Sequence, residues 1–209
     1  MRVRTEAKRE AILEIAAEAF IEMGYERASM AEISSRVGGS KATLYGYFES
    51  KEQLFIEVAK SVGERHLADA FAELEQTAAD VQVALQRLGE KVLGFLTHPD
   101  ALATQRMVIA AAGRSDIGRR FYEAGPKRGL EATAAYLKAA MDGGRLRVAD
   151  AGIAAHHLLA LFEAETVPLR MLGVPVSTSR AHIRQAIERA LAVFLAAYGV
   201  SSPGPRGRP

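Results

Sequence analysis

Residues 29–51 read Ser29-Met30-Ala31-Glu32-Ile33-Ser34-Ser35-Arg36-Val37-Gly38-Gly39-Ser40-Lys41-Ala42-Thr43-Leu44-Tyr45-Gly46-Tyr47-Phe48-Glu49-Ser50-Lys51. Ser29 followed three residues on by Glu32 predicts a capping box, in which the serine accepts an orphan backbone N–H and the glutamate reaches back. A short helix follows, with Met30, Ile33 and Val37 facing inward. Gly38-Gly39 breaks the chain, and Ser40 caps a third short helix over Lys41 to Phe48. Ser50 with Gln53 makes a further capping box, opening a longer helix that carries Leu54, Phe55, Val58 and Val62 inward. Two short helices across a glycine turn form the helix-turn-helix outline.

Upstream, Ile12, Ile15, Ala16, Ala19, Phe20 and Met23 recur at three- and four-residue steps, one apolar stripe on a first helix that Gly24 ends. Downstream the pattern stays helical. Breaks are expected at Ala79-Asp80, His98-Pro99, Gly113-Arg114, Gly143-Gly144 and Val174 to Ser177, and Gly125-Pro126 should kink or split the stretch from Ser115 to Asp142. The last two helices are expected near Asp150 to Gly173 and Thr178 to Gly199, and the Pro- and Gly-rich tail Ser201 to Pro209 is expected to be disordered. No strand pattern or repeat interrupts this, so the fold class is all-α: a helix-turn-helix domain over 1–55 and a larger helical domain over 56–200.

Composition bounds the function. The 209 residues suffice for a sizeable core. The chain has no cysteine, which removes zinc fingers, redox motifs and thiol nucleophiles. The charged N-terminus lacks a signal peptide's apolar core, and no apolar run is long enough for a bilayer, so a cytoplasmic setting without membrane contact is expected. A formal charge of +2 argues neither for nor against nucleic acid, so the placement of charges decides.

With Leu44 and Phe48 anchored in the core, the helical wheel turns Ala42 and Gly46 outward, with Thr43 on one flank and Tyr45 on the other. A face that is small at its centre can lie close to base edges in a major groove, while flanking hydroxyls and Lys41 reach bases or phosphates. Ser40, and Ser50 with Lys51, stand at helix starts where backbone donors suit a phosphate, and Ser29 is a third such position. Each feature alone reads as packing or capping. Their combination favours DNA.

The segment from about Thr5 to Phe55 resembles the tetracycline-repressor (TetR) family of regulators. The likeness lies in Gly24-Tyr25, in Ser29-Met30-Ala31-Glu32-Ile33, and in Ser40 to Phe48 running into Ser50-Lys51-Glu52. It implies an N-terminal three-helix DNA-binding domain followed by a helical ligand-binding and dimerisation domain, usually repressing transcription until a small molecule releases it. Position by position it implies base or phosphate contacts for Lys41, Thr43, Tyr45, Gly46 and Tyr47, and phosphate contacts for Ser29, Ser40 and Lys51. Gly39 departs from the family's branched apolar residue, which should loosen the turn.

By the same analogy the last two helices pair with those of a second subunit as a four-helix bundle, through faces that include Leu158, Leu161, Ile183, Ile187, Leu191 and Phe194. An effector pocket is expected among the middle helices, lined from Phe95, Met107, Phe121, Tyr122, Tyr136 and Phe162. Glu163 and Glu165 either face a cationic ligand, pair with arginine across an interface, or lie in solvent. Adjacent His156 and His157 do not form an i, i+4 metal pair, and the sequence offers no phosphate loop or nucleophile elbow, so neither metal, cofactor nor enzymatic activity is expected. The expected partners are double-stranded operator DNA, a second copy and an unidentified small-molecule effector. A helical enzyme or carrier whose N-terminal helices serve only protein contact, and an architectural protein without effector, stay open as alternatives.

Overall fold

The computed structural model describes residues 5–76 and 80–200, and the expected tail and the basic residues Arg2 and Arg4 lie outside them. The described chain is helical throughout: α1 (Glu6–Arg27), α2 (Met30–Arg36), α3 (Lys41–Tyr47), α4 (Lys51–Gln76), α5 (Val81–Leu96), α6 (Pro99–Ala112), α7 (Ile117–Ala124), α8 (Pro126–Asp142), α9 (Ala151–Glu163), α10 (Val167–Met171) and α11 (Arg180–Tyr198). Among the described residues the only extended pairing is an isolated antiparallel bridge between Leu146 and Gly199. The all-α expectation holds, and no described helix is long and apolar enough to cross a membrane.

Two compact units divide the chain, one of residues up to 65 with 98–127, the other of 66–97 with 128 onward. In the first, Ile12, Ala16, Ala19 and Phe20 of α1 are buried with Met30 and Ile33 of α2, Leu44 and Phe48 of the α3 region, and Leu54 and Phe55 of α4. Val108 and Ala111 of α6 and Ile117 of α7 join this same cluster, so the three-helix head shares its core with a later helical pair. Aromatic edges tighten it: Phe20 meets Phe55 and Tyr25 meets Phe55 edge-on at 5.1 Å between ring centroids. The second unit gathers α5, α8, α9 and α11 about Leu85, Leu88, Leu137, Leu158, Ile187 and Phe194.

Three boundaries differ from the sequence expectation. Gly24 leaves the helical region at φ 76°, as a residue without Cβ can, yet α1 resumes for one more turn to Arg27. Gly125-Pro126 splits its stretch cleanly into α7 and α8. The helix expected from Asp150 to Gly173 ends at Glu163 and restarts as α10, because Pro168 has no N–H with which to continue the ladder.

The capping boxes are half-formed. Ser29 Oγ accepts from the Glu32 N–H at 3.2 Å, but the Glu32 carboxylate turns to Arg36 Nε at 3.2 Å, one helical turn on. Ser50 Oγ likewise accepts from Gln53 N–H at 3.1 Å, while Gln53 Oε1 reaches the Glu49 N–H, one residue before the cap.

Candidate nucleic-acid interface

The segment Lys41 to Phe48 is held from behind and open in front. Leu44 and Phe48 are 2% and 1% exposed and pin it to the head, whereas Lys41, Ala42 and Tyr45 are exposed and Thr43, Gly46 and Tyr47 half-buried. A Cβ built on Gly46 meets nothing within 4 Å, so the middle of the outer face is free of neighbouring atoms. Ser40 Oγ accepts from the Thr43 N–H at 3.1 Å and lies 3.0 Å from Thr43 Oγ1, which ties the threonine hydroxyl to the cap. The turn before it closes through Ser34 Oγ donating to the Gly39 carbonyl at 2.8 Å, with Gly38 at φ 69°. This bond braces the turn that Gly39 was expected to loosen.

A shallow depression beside α3 is lined by Ser29, Lys41, Tyr45 and Lys51 together with Glu26 and Met30. Four of the nine residues expected at DNA therefore meet in one place, from three different elements. Among the described residues Lys41 pairs with no carboxylate, whereas Arg36 of α2 is taken up by Glu22 at 2.6 Å and by Glu32. The cation best placed to meet an anion at this face is Lys41.

Lys51 has a further duty that the sequence did not disclose. Its ammonium donates to the carbonyls of Tyr25 at 2.8 Å and Glu26 at 3.3 Å, and sits 4.4 Å from the Tyr25 ring centroid. It thus serves the exposed carbonyls at the end of α1. Burial, then the charge of Glu52, pushes the Tyr25 phenol well above its ordinary range. The Glu52 carboxyl is held below its usual range, first by its own backbone N–H and then by the Tyr25 and Ser50 hydroxyls, against the opposing effect of burial. Tyr25 and Glu52 were missed because 26 residues separate Tyr25 from Lys51, a spacing that no helical period reports. Tyr47 was expected at DNA, and its hydroxyl accepts a bond from the Thr5 backbone N–H at 3.1 Å.

The expected effector-pocket residues are not gathered into one core. Met107 and Phe121 pack on the cluster of the first unit, and Tyr122 is exposed. Tyr136 and Phe162 are buried in the second, where Phe95 stacks on His66 at 5.4 Å. The expected dimer residues need correction. Leu158, Ile183, Ile187, Leu191 and Phe194 are 9% exposed or less within the core of their own unit, and Leu161 packs against that core. A helix with apolar residues on more than one side left the choice of face open, and the larger side chains went inside. What α9 and α11 turn outward is Ile153, Ala160, Ala192, Val193, Ala196 and Ala197. Glu165 pairs within its own chain, accepting from Arg189 Nε at 2.9 and 3.1 Å, and burial pushes the Glu163 carboxyl up.

Comparison with known proteins agrees with this geometry. Residues 12–58 match the family of bacterial regulatory proteins called the tetR family, and residues 83–200 match the AefR-like transcriptional repressor C-terminal domain. A TetR-family regulator from Mesorhizobium loti MAFF303099 is 30% identical, covers 95% of this chain and 100% of its own, and superposes with a TM-score of 0.84. The flavonoid-responsive regulator FrrA is also 30% identical over 95% of this chain and 100% of its own, with a TM-score of 0.74. The transcriptional activator FasR of Mycolicibacterium smegmatis (strain ATCC 700084 / mc(2)155) is 32% identical over 100 residues, 46% of this chain and 44% of that protein. The chain spans about half the length of the curated relatives it matches. Matched at its head and across more than half its length by the second domain, this chain belongs to the tetR family of bacterial transcriptional regulators.

Proposed function

We propose that the chain is a repressor that binds operator DNA as a homodimer and leaves it when a small molecule binds the helical portion over residues 56–200, with residues 1–55 supplying the DNA contacts. The observation that carries this reading is the outer face of α3, where exposed Lys41, Ala42 and Tyr45 flank an unobstructed Gly46. A helix with that profile can approach base edges closely, with Thr43 and Tyr45 as hydroxyl donors and Lys41, Ser29, Ser40 and Lys51 on phosphates. Repression is the sign favoured by the likeness of residues 83–200 to a repressor domain, although FasR is an activator.

Dimerisation follows from the geometry of duplex DNA, because two reading helices about 34 Å apart match half-sites one turn apart. The exposed apolar strip of Ile153, Ala160, Val193 and Ala197 is the surface we assign to the second copy. Effector release needs only a ligand that binds the non-operator arrangement better, at a coupling of about 1–3 kcal/mol. FrrA, named for its response to flavonoids, makes a flavonoid the first probe to try. The site of such a protein is the cytoplasm, with its DNA.

The test is selection of genomic fragments by the purified chain, followed by footprinting with and without a flavonoid. The reading expects a two-fold symmetric footprint with half-sites one turn apart, or a whole number of turns apart. A chain that selects no fragments, or protects a single unsymmetrical half-site, contradicts it.

A further inference from the structure

We infer that Tyr47 is a positioning residue for the N-terminal arm: its hydroxyl fixes the point from which Arg2 and Arg4 reach DNA phosphates, and this is its main contribution to operator affinity. The inference rests on the DNA-binding reading above and adds to it. The family resemblance gave Tyr47 a direct contact. Its geometry gives the hydroxyl oxygen to the Thr5 backbone N–H at 3.1 Å, across 42 residues of sequence.

That bond is one of several on the first turns of α1. Thr5 is the N-cap, its Oγ1 accepting from the Lys8 N–H at 3.3 Å. Lys8 Nζ donates to the Val37 carbonyl at the end of α2 at 3.4 Å. Arg9 pairs with Glu57 of α4 and lies 5.6 Å from the Phe48 ring centroid. The start of α1 is thereby tied to α2, to the α3 region and to α4. Of these ties, only the Tyr47 bond holds the backbone at Thr5 itself, the last residue before the arm.

The arm carries the chemistry to use such an anchor. Met1 to Arg4 contains two arginines and no acid. Four residues reach at most about 14 Å from Thr5. A chain tethered that closely to the end of α3 keeps its guanidinium groups near the phosphates that flank whatever α3 occupies, and arginine suits phosphate through its planar fork. Without the tether the same arginines spread over a larger volume, and fewer counterions are displaced on binding.

The consequence separates this role from two others. A neutral hydroxyl bonded directly to phosphate displaces no counterion, so its loss lowers affinity and leaves the salt slope intact. A merely structural tyrosine changes the folded fraction, which scales affinity equally at every salt concentration. Loss of the arm's purchase alone lowers the slope.

The experiment measures affinity for a selected genomic duplex against salt concentration for the full chain, Tyr47→Phe, Arg2→Ala/Arg4→Ala, and the triple variant. Phenylalanine keeps the ring, and thermal melting checks the fold. The arginine pair is expected to lower the log–log slope by about two and Tyr47→Phe by about one, with the triple variant no lower than the arginine pair. The inference is overturned if Tyr47→Phe keeps the full slope, if its loss multiplies with that of the arginine pair, or if the arginine pair leaves the slope unchanged. A full chain that binds no duplex at all sinks the DNA-binding reading itself, a different and recognisable result.

Discussion

The ammonium of Lys51 donates to two carbonyls at the end of α1 and lies against the face of Tyr25. A lysine has three donors, so one stays available toward the depression shared with Ser29, Lys41 and Tyr45. Lys51 is therefore a joint in the head before any DNA arrives. Replacing it by methionine keeps the aliphatic stem and removes the charge, leaving the α1 carbonyls to water. Lys51→Met should destabilise the free protein by about 1–2 kcal/mol, the size of one charged hydrogen bond with a cation–π contact. Urea unfolding reads this as a lower midpoint at unchanged slope, and an unchanged midpoint means the joint contributes nothing. The sequence announced Lys51 by its place beside a cap, and its second duty was invisible because Tyr25 approaches only through the tertiary fold.

Among elements, α3 was the most legible. Its cap at Ser40, its anchors Leu44 and Phe48 and its outward residues all follow from a helical wheel and turn chemistry, which are local. The last helices were less so. Where residues of similar hydrophobicity lie on several sides of a helix, periodicity leaves the buried face undecided, and packing against α5 settled it. That packing is close at Gly89 of α5. A Cβ there would lie 2.7 Å from Ile187 Cγ2 and 2.9 Å from Phe162 Cζ, both side chains fully buried and with little room to move. Gly89→Ala should cost about 1–3 kcal/mol by overpacking, despite alanine's better helix propensity. Calorimetry distinguishes this from a gain of about 1 kcal/mol, which would mean the helices separate freely.

The whole molecule sets limits that residues and elements do not. The sequence suggested a head ending near residue 55, but the compact unit containing α1 to α3 also includes 98–127, a partnership no local pattern announces. The assigned dimer surface belongs to this scale, since it matters only with a second copy. Val193 is 57% exposed on α11, and a glutamate there faces its own image across a two-fold axis. Val193→Glu should give a folded monomer by light scattering, with operator affinity reduced, whereas a dimer of wild-type stability would place the interface elsewhere.

The central claim is that the outer face of α3 meets duplex DNA, and one titration tests it most directly. Wild type and Lys41→Ala/Tyr45→Ala, two exposed positions whose loss leaves the core intact, are compared for binding to a selected fragment. The account predicts equal melting temperatures and an affinity lower by about 30-fold or more in the variant, from two contacts of about 1 kcal/mol or more each. Equal affinity in two equally folded proteins would contradict it.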